Sequence, residues 1–307
     1  MNVFTTDAFL ETAGELFFPR GRREVRPFVL EGRALKLLTV DGSVVRSMPF
    51  YDFPQPLEVV PPNAQPLTYF PRMVLRTERV TGHPAPVPGQ QPSPYVDWSL
   101  FTTWESFVAH AEQQGLRNDS DRKARKLERD LGPLRFVLDD PSPSAFAAGI
   151  AWKSAQYQST GVGDMFARPQ NVELFRRLRA RGLVVHSSLY AGDQLVATHL
   201  GAVVNRRHAW WVPAYDVKFH KYSPGKLLLE RLLKASQAAG DVEFDFLIGD
   251  EEYKFHYGTH NRVIGPLGTP PLREQMISDA KVLAKKVLRR FPRAYEAARA
   301  IKRRLTS

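Results

Sequence analysis

The clearest hydrophobic periodicity lies in the second half of the chain. Residues 144–158 read as a helix and 171–181 as another, with Val172, Phe175 and Leu178 on one face and Gly182 as the stop. The period then changes to that of strands. Residues 183–190 and 195–204 flank a turn at 191–194, and 208–214 follows after 205–207, which predicts an antiparallel meander. Residues 215–222 lead into a helix carrying Leu228, Leu229, Leu232 and Leu233 on one face and ending at Gly240, and a strand is predicted over 242–248. The order is α, α, β, β, β, α, β.

The first half is less regular. Two strand-like runs, 35–40 and 44–47, flank Asp41 and Gly42, a hairpin turn signal. Between His83 and Tyr95 five prolines (Pro84, Pro86, Pro88, Pro92, Pro94) argue against helix and central strand and predict an exposed extended loop. Helices over 104–114 and 120–130 and a strand over 134–138 come next. The proline-containing stretch 139–144 is the expected domain boundary. The fold class is mixed α/β, with units expected at 1–142 and 143–270 and a tail from 271 to 307; for 307 residues two packed domains are the natural expectation and one large domain the alternative.

Charge changes the picture only at the C-terminus. The net charge is +11, but residues 281–307 hold ten Lys or Arg against Glu296, so the rest of the chain is close to neutral. Val282, Leu283, Val287, Leu288 and Phe291 among those basic residues predict an amphipathic helix. It could lie peripherally on an anionic membrane surface or dock as a C-terminal helix. No run approaches the ~20 apolar residues of a membrane span, and the first residues lack an export pattern, so a soluble cytoplasmic protein is expected. Without cysteine there is no disulfide, thiolate site or cysteine nucleophile.

Two segments could carry chemistry. At Lys221, Tyr222, Ser223, Pro224, Gly225 and Lys226, Ser223 suits an N-cap and Pro224 the first helical position. A strand feeding that helix would aim free N–H groups and the positive dipole end at an anion, with Lys221 and Lys226 beside it. The segment is equally compatible with a helix that simply starts there. The second segment, 244–254, places Asp245 in an apolar strand, where a carboxylate needs a partner, and Asp250, Glu251, Tyr253 and Lys254 just beyond Gly249. A solvated acidic turn is the plain alternative. Asp216, next to Tyr215, is expected at the same mouth. His256 and His260 have ligand-like spacing, but Gly258 intervenes and no Glu accompanies them, so no metal is expected. His199 reads as an ordinary sheet residue. No Gly-x-Ser-x-Gly elbow, Walker loop or Gly-x-Gly-x-x-Gly segment is present.

The strings YDVKFHKYSPGKLLL (215–229) and FDFLIGDEEYK (244–254), with RKARKLER (122–129) before them, resemble the CelD-type acetyltransferase family. That family belongs to the GNAT superfamily and is related to Fem-type aminoacyltransferases. The resemblance covers roughly residues 118–260. It implies two GNAT-like domains in tandem, each a mostly antiparallel twisted sheet flanked by helices, the first degenerate and the second catalytic. It also implies an acyl-CoA donor, acetyl-CoA or longer, and an amine acceptor on a small molecule, amino sugar or glycan, amino acid or peptide. By the same analogy Lys221, Tyr222, Ser223, Gly225 and Lys226 would hold the donor, although only one of the superfamily's loop glycines, Gly225, is kept. Asp216 or Glu251 would take the amine proton and Tyr253 would protonate sulfur. Lys254 would neutralise Asp250 or Asp245, or hold an anionic substrate, with Asp245 and Asp250 on the substrate side. The alternatives are aminoacyl transfer from charged tRNA, with the basic tail on phosphates, and a non-catalytic binding domain of the same fold.

Overall fold

The computed structural model describes residues 2–116, 119–161 and 163–272. The expected basic tail lies outside the described residues from 273 onward. In chain order the elements are α1 (Asp7–Phe17), β1 (Arg23–Leu30), β2 (Arg33–Val40), β3 (Ser43–Val44), β4 (Gln65–Pro66), β5 (Tyr69–Arg79), β6 (Gln91–Asp97), α2 (Trp104–Gln113), α3 (Ser120–Leu131) and β7 (Leu134–Val137). They continue with α4 (Pro143–Thr160), α5 (Pro169–Ala180), β8 (Val184–Ala191), β9 (Gln194–Val204), β10 (Arg207–Tyr215), α6 (Pro224–Ala238), β11 (Glu243–Asp245), α7 (Glu252–Tyr257) and β12 (His260–Gly268). Among the described residues no helix is long and apolar enough to cross a membrane.

The architecture is mixed α/β with two sheet-plus-helix regions. A four-stranded sheet, β3-β2-β1-β4, packs with α1, and an eight-stranded sheet runs β5-β12-β6-β11-β10-β9-β8-β7. The Asp41 and Gly42 turn forms as the sequence predicts, with both residues at positive φ between β2 and β3. The meander β8-β9-β10 is antiparallel, whereas β10 and β11 run parallel. Alternating side chains of the large sheet build a core on each face. One takes Phe146 of α4, Leu174, Phe175 and Leu178 of α5 and the aromatic residues Phe4 and Phe9 beside α1. The other takes the leucines of α6 together with Trp98, Phe244, Phe246 and Tyr257.

Three expectations change. First, the large sheet crosses residue 142: β7 pairs with β8, β6 with β11 and β12, and β5 with β12. A boundary drawn from the prolines at 139–144 marks the start of α4, where Ser142 caps the helix and Pro143 occupies its first turn. Second, Pro92 and Pro94 lie inside the sheet, in β6. β11 covers only 95–97 of that strand, so the missing proline N–H groups fall where the ladder has already ended. Their carbonyls instead accept from Phe246 N and Gly249 N, both at 3.0 Å. Third, the strand predicted over 242–248 stops at Asp245. Asp245 accepts the Leu247 N–H at 2.8 Å, and Leu247 turns to φ +57°, which breaks the extended run.

Candidate active site

The site begins where two parallel strands part. β10 and β11 pair only at Arg207, His208 and Ala209 with Glu243, Phe244 and Asp245. Beyond that point β10 continues to Tyr215 while the other chain turns away through Leu247 and Gly249 into α7. Where they diverge β10 carries a bulge: an extra residue enters between Ala209 and Val212, whose partners are Ala202 and Leu200. Trp210 faces the α6 side and Trp211 the opposite core, and the extra residue turns Val212 to the same face as Trp211. The freed Trp211 N–H donates to His199 Nε2 at 3.1 Å, and the His199 ring stacks on Trp210 at 4.3 Å. His199 is therefore more than an ordinary sheet residue. It holds the bulge, and burial keeps it well below the usual histidine range and so neutral, as an acceptor must be.

A cavity opens on each side of the divergence. On the α6 side, about 930 Å³ is lined by Lys123, Tyr215, Gly225, Lys226 and Leu229 among others. On the side of the N-terminal unit, about 280 Å³ is lined by Phe50, Asp52, Tyr157, Trp211, Phe246 and Lys254 among others. Lys153, Trp210, Pro213, Glu251 and Tyr253 line both, so the two cavities meet at one wall. There the Trp210 indole N–H donates to the Tyr253 hydroxyl at 3.0 Å, which leaves the Tyr253 proton free for another acceptor. Burial, with Glu251 nearby, pushes the Tyr253 phenol up, so it stays protonated at neutral pH.

The larger cavity is basic at the helix start. Lys123 and Lys226, from α3 and α6, both bond Asp119 at 2.9 Å, and these bonds hold the Asp119 carboxyl down at about 2. Lys226 also faces Glu230 at 3.9 Å. Ser223 does not cap α6: it sits at φ +53° and its hydroxyl accepts from Lys123 Nζ at 2.8 Å. Nor does a strand feed the helix, because a 3₁₀ turn, Val217–Tyr222, intervenes. That turn explains Asp216, whose carboxylate accepts from Lys218 N at 3.0 Å as the cap of the turn, away from the lining of either cavity. Lys221 is exposed and lies over the Tyr222 ring, and the Tyr222 hydroxyl is turned to Asp130 at 2.6 Å. Of the five residues expected to hold a donor, Gly225 and Lys226 line the cavity, and Ser223 touches it through Lys123.

On the other side, Lys254 is 4% exposed and pairs with Glu251 at 3.0 Å and the Ile248 carbonyl at 3.1 Å, not with Asp250 or Asp245. Asp250 is exposed, and its carbonyl meets His83 Nε2 at 2.7 Å. Asp245 found the partner its burial requires in Arg262, at 3.2 Å, and Arg262 also bonds Glu243. This cluster ties β11 to β12 and contributes no group to either cavity.

The residue that sequence reasoning missed is Asp52. It comes from the loop between β3 and β4, lines the smaller cavity, and accepts a backbone hydrogen bond from Ile248. Burial raises its carboxyl to about 6 although Arg72 and Lys254 stand near. Its one local signal was a lone acid between Tyr51 and Phe53, which says nothing of the distant strand it meets. Lys123, Lys153 and Trp210 were missed for the same reason.

Comparison with known proteins agrees with this geometry. Residues 114–255 match the family described as an acetyltransferase (GNAT) domain. No curated protein sequence matches. Among solved structures, the crystal structure of FemX superposes with a TM-score of 0.50 at 8% identity, covering 86% of this chain and 91% of that one. The C-terminal domain of a putative lysylphosphatidylglycerol synthetase from Agrobacterium fabrum gives a TM-score of 0.43 at 12% identity, over 90% of this chain and 96% of that one. The described residues hold no cluster of His, Cys, Asp and Glu suited to a metal. Residues 114–255 thus match a GNAT acetyltransferase domain, and the chain shares the fold of FemX over most of its length.

Proposed function

We propose that this protein is an N-acyltransferase of the CelD type that moves an acyl group from acyl-CoA to a primary amine. The observation that supports this most is the pair of cavities meeting at Tyr253, Glu251 and Trp210 where β10 and β11 part. The larger takes the donor: its volume suits a long ligand, and Lys123, Lys226 and the first turn of α6 favour phosphate. The thioester then reaches the shared wall, and the smaller cavity takes the amine.

Transfer needs a neutral amine, a carbonyl within reach and a proton for the leaving thiolate. Asp52 and Glu251 face the acceptor cavity and receive the ammonium proton, directly or through water. Asp52 is the better matched base, since a carboxyl titrating near 6 accepts a proton at neutral pH more readily than an ordinary aspartate. The amine nitrogen attacks the carbonyl carbon, and the Tyr253 hydroxyl gives its proton to sulfur as the C–S bond breaks. Lys254, held by Glu251 and Ile248, keeps that carboxylate in place. An amino sugar, amino acid or peptide each presents such an amine.

Calorimetric titration with acetyl-CoA and a longer acyl-CoA tests the donor assignment. Micromolar binding to the wild type, weakened about tenfold or more by Lys226→Ala and abolished by Gly225→Glu, is expected, since removing one charged contact to phosphate costs about 1.5–3 kcal/mol. Absence of binding by any thioester would overturn the assignment and turn attention to charged tRNA as donor.

A further inference from the structure

We propose that Lys153 is an acylation site of the protein itself: with acyl-CoA in the larger cavity and no amine in the smaller one, its Nζ takes the acyl group. The inference rests on the acyltransferase reading and adds a self-modification that limits the same site.

Four lysines line the two cavities, and three are tied down. Lys123 and Lys226 bond Asp119 at 2.9 Å, and Lys254 bonds Glu251 at 3.0 Å. Lys153 differs in position and in partners. It projects from α4 and lines both cavities, alongside Tyr253, Glu251 and Trp210. Among the described residues no carboxylate lies within ion-pair distance of it; its ammonium sits 5.4 Å over the Tyr157 ring. Desolvation, with the Lys254 charge adding to it and Glu251 opposing, draws the Lys153 ammonium below the usual lysine range. A larger fraction is thus neutral and nucleophilic than on an exposed lysine.

The chemistry closes with acyl-CoA alone. The neutral Nζ attacks the thioester carbonyl, an N–C bond forms and the C–S bond breaks with its electron pair on sulfur. One amine proton passes to the Glu251 carboxylate, which lines the same wall, and sulfur takes one from the Tyr253 hydroxyl. The products are an amide on Lys153 and free coenzyme A. The amide is uncharged and bulkier, and it stands at the wall through which donor and acceptor must meet. An amine bound in the smaller cavity competes with Lys153 for the same carbonyl, so acylation marks turnover without acceptor.

The test is incubation of the full chain with acetyl-CoA and no added amine, followed by intact mass and peptide mapping, with calorimetric acetyl-CoA binding on the same sample. Lys218, whose side chain is 81% exposed, serves as internal reference. We expect one acetyl group, located on Lys153 and formed at least about tenfold faster than on Lys218, because the site holds amine and thioester together. The rate should rise with pH and level off below the ordinary lysine range. Tyr253→Phe should slow it, and Lys153→Arg should remove it while acetyl-CoA still binds. The wild-type peptide map decides the matter even if a variant does not fold. Acetylation spread over exposed lysines, with Lys153 no faster than Lys218, overturns the inference. So does an unmodified protein that binds acetyl-CoA, and that result leaves the acyltransferase reading standing. Failure to bind either acetyl-CoA or a longer acyl-CoA overturns both.

Discussion

Asp52 shows at the scale of one residue how a site trades stability for chemistry. Its carboxyl titrates near 6 in the folded chain against a reference of 3.8, chiefly through burial, so folding raises its proton affinity. A raised value means that its contribution to stability is fully present below about pH 4 and is lost as the pH rises through about 6. At neutral pH the buried carboxylate is thus a burden, on the order of 1–3 kcal/mol after allowing for partial solvent contact. Asp52→Asn should therefore melt higher than the wild type near pH 8, with the difference vanishing near pH 4. The same variant should transfer acyl groups about 10²-fold more slowly. Paired thermal melts and thiol-release assays over that pH range check both, and a melting difference independent of pH would show that Asp52 is not the group responsible.

The bulge in β10 is the element that shapes the site. An extra residue turns Trp211 and Val212 to one core while Trp210 faces the larger cavity, and the backbone N–H it frees is accepted by His199. Replacing His199 with Phe fills the space but removes the acceptor, leaving a buried N–H unpaired at a cost of about 1–3 kcal/mol. A bulge no longer held by that bond would also shift the Trp210 ring stacked on position 199, and with it the geometry of the bond to Tyr253. His199→Phe should thus show a lower melting temperature and altered tryptophan fluorescence in the folded protein. A variant with wild-type melting and emission would mean that the bulge is held by other bonds.

For the molecule as a whole, the consequence of the shared sheet is that its two halves do not separate at residue 142. β12 lies between β5 and β6, both from before that point, and β7 covers the edge of β8. A fragment of residues 143–270 would leave β12 without either neighbour and expose the core around Phe244 and Phe246. We expect such a fragment to lack the cooperative thermal transition of the full chain, as seen by circular dichroism; a sharp transition in the fragment would refute this. Helices α1 and α7 escaped the sequence reading, but α2 to α6, the meander and the α6 leucine face were legible, because periodicity and stop residues act within a few residues of each other. So were the candidates Glu251, Tyr253, Lys254, Gly225 and Lys226, which lie on two short segments and do line the cavities. What local pattern could not show was any pairing between distant segments. Pro92 and Pro94 read as loop because their missing N–H groups look costly until one sees that β11 stops beside them. Asp245 read as a site because a buried acid demands a partner, and only the approach of β12 makes that partner Arg262. Neither Asp52 nor Lys153 could be read as a site residue, since their burial and charged neighbours are created by chain far away in sequence. Local periodicity thus determined α2 to α6 and the meander. Sheet order, the divergence of β10 from β11 and the residues gathered around it were decided by tertiary structure, where desolvation and long-range pairing first act.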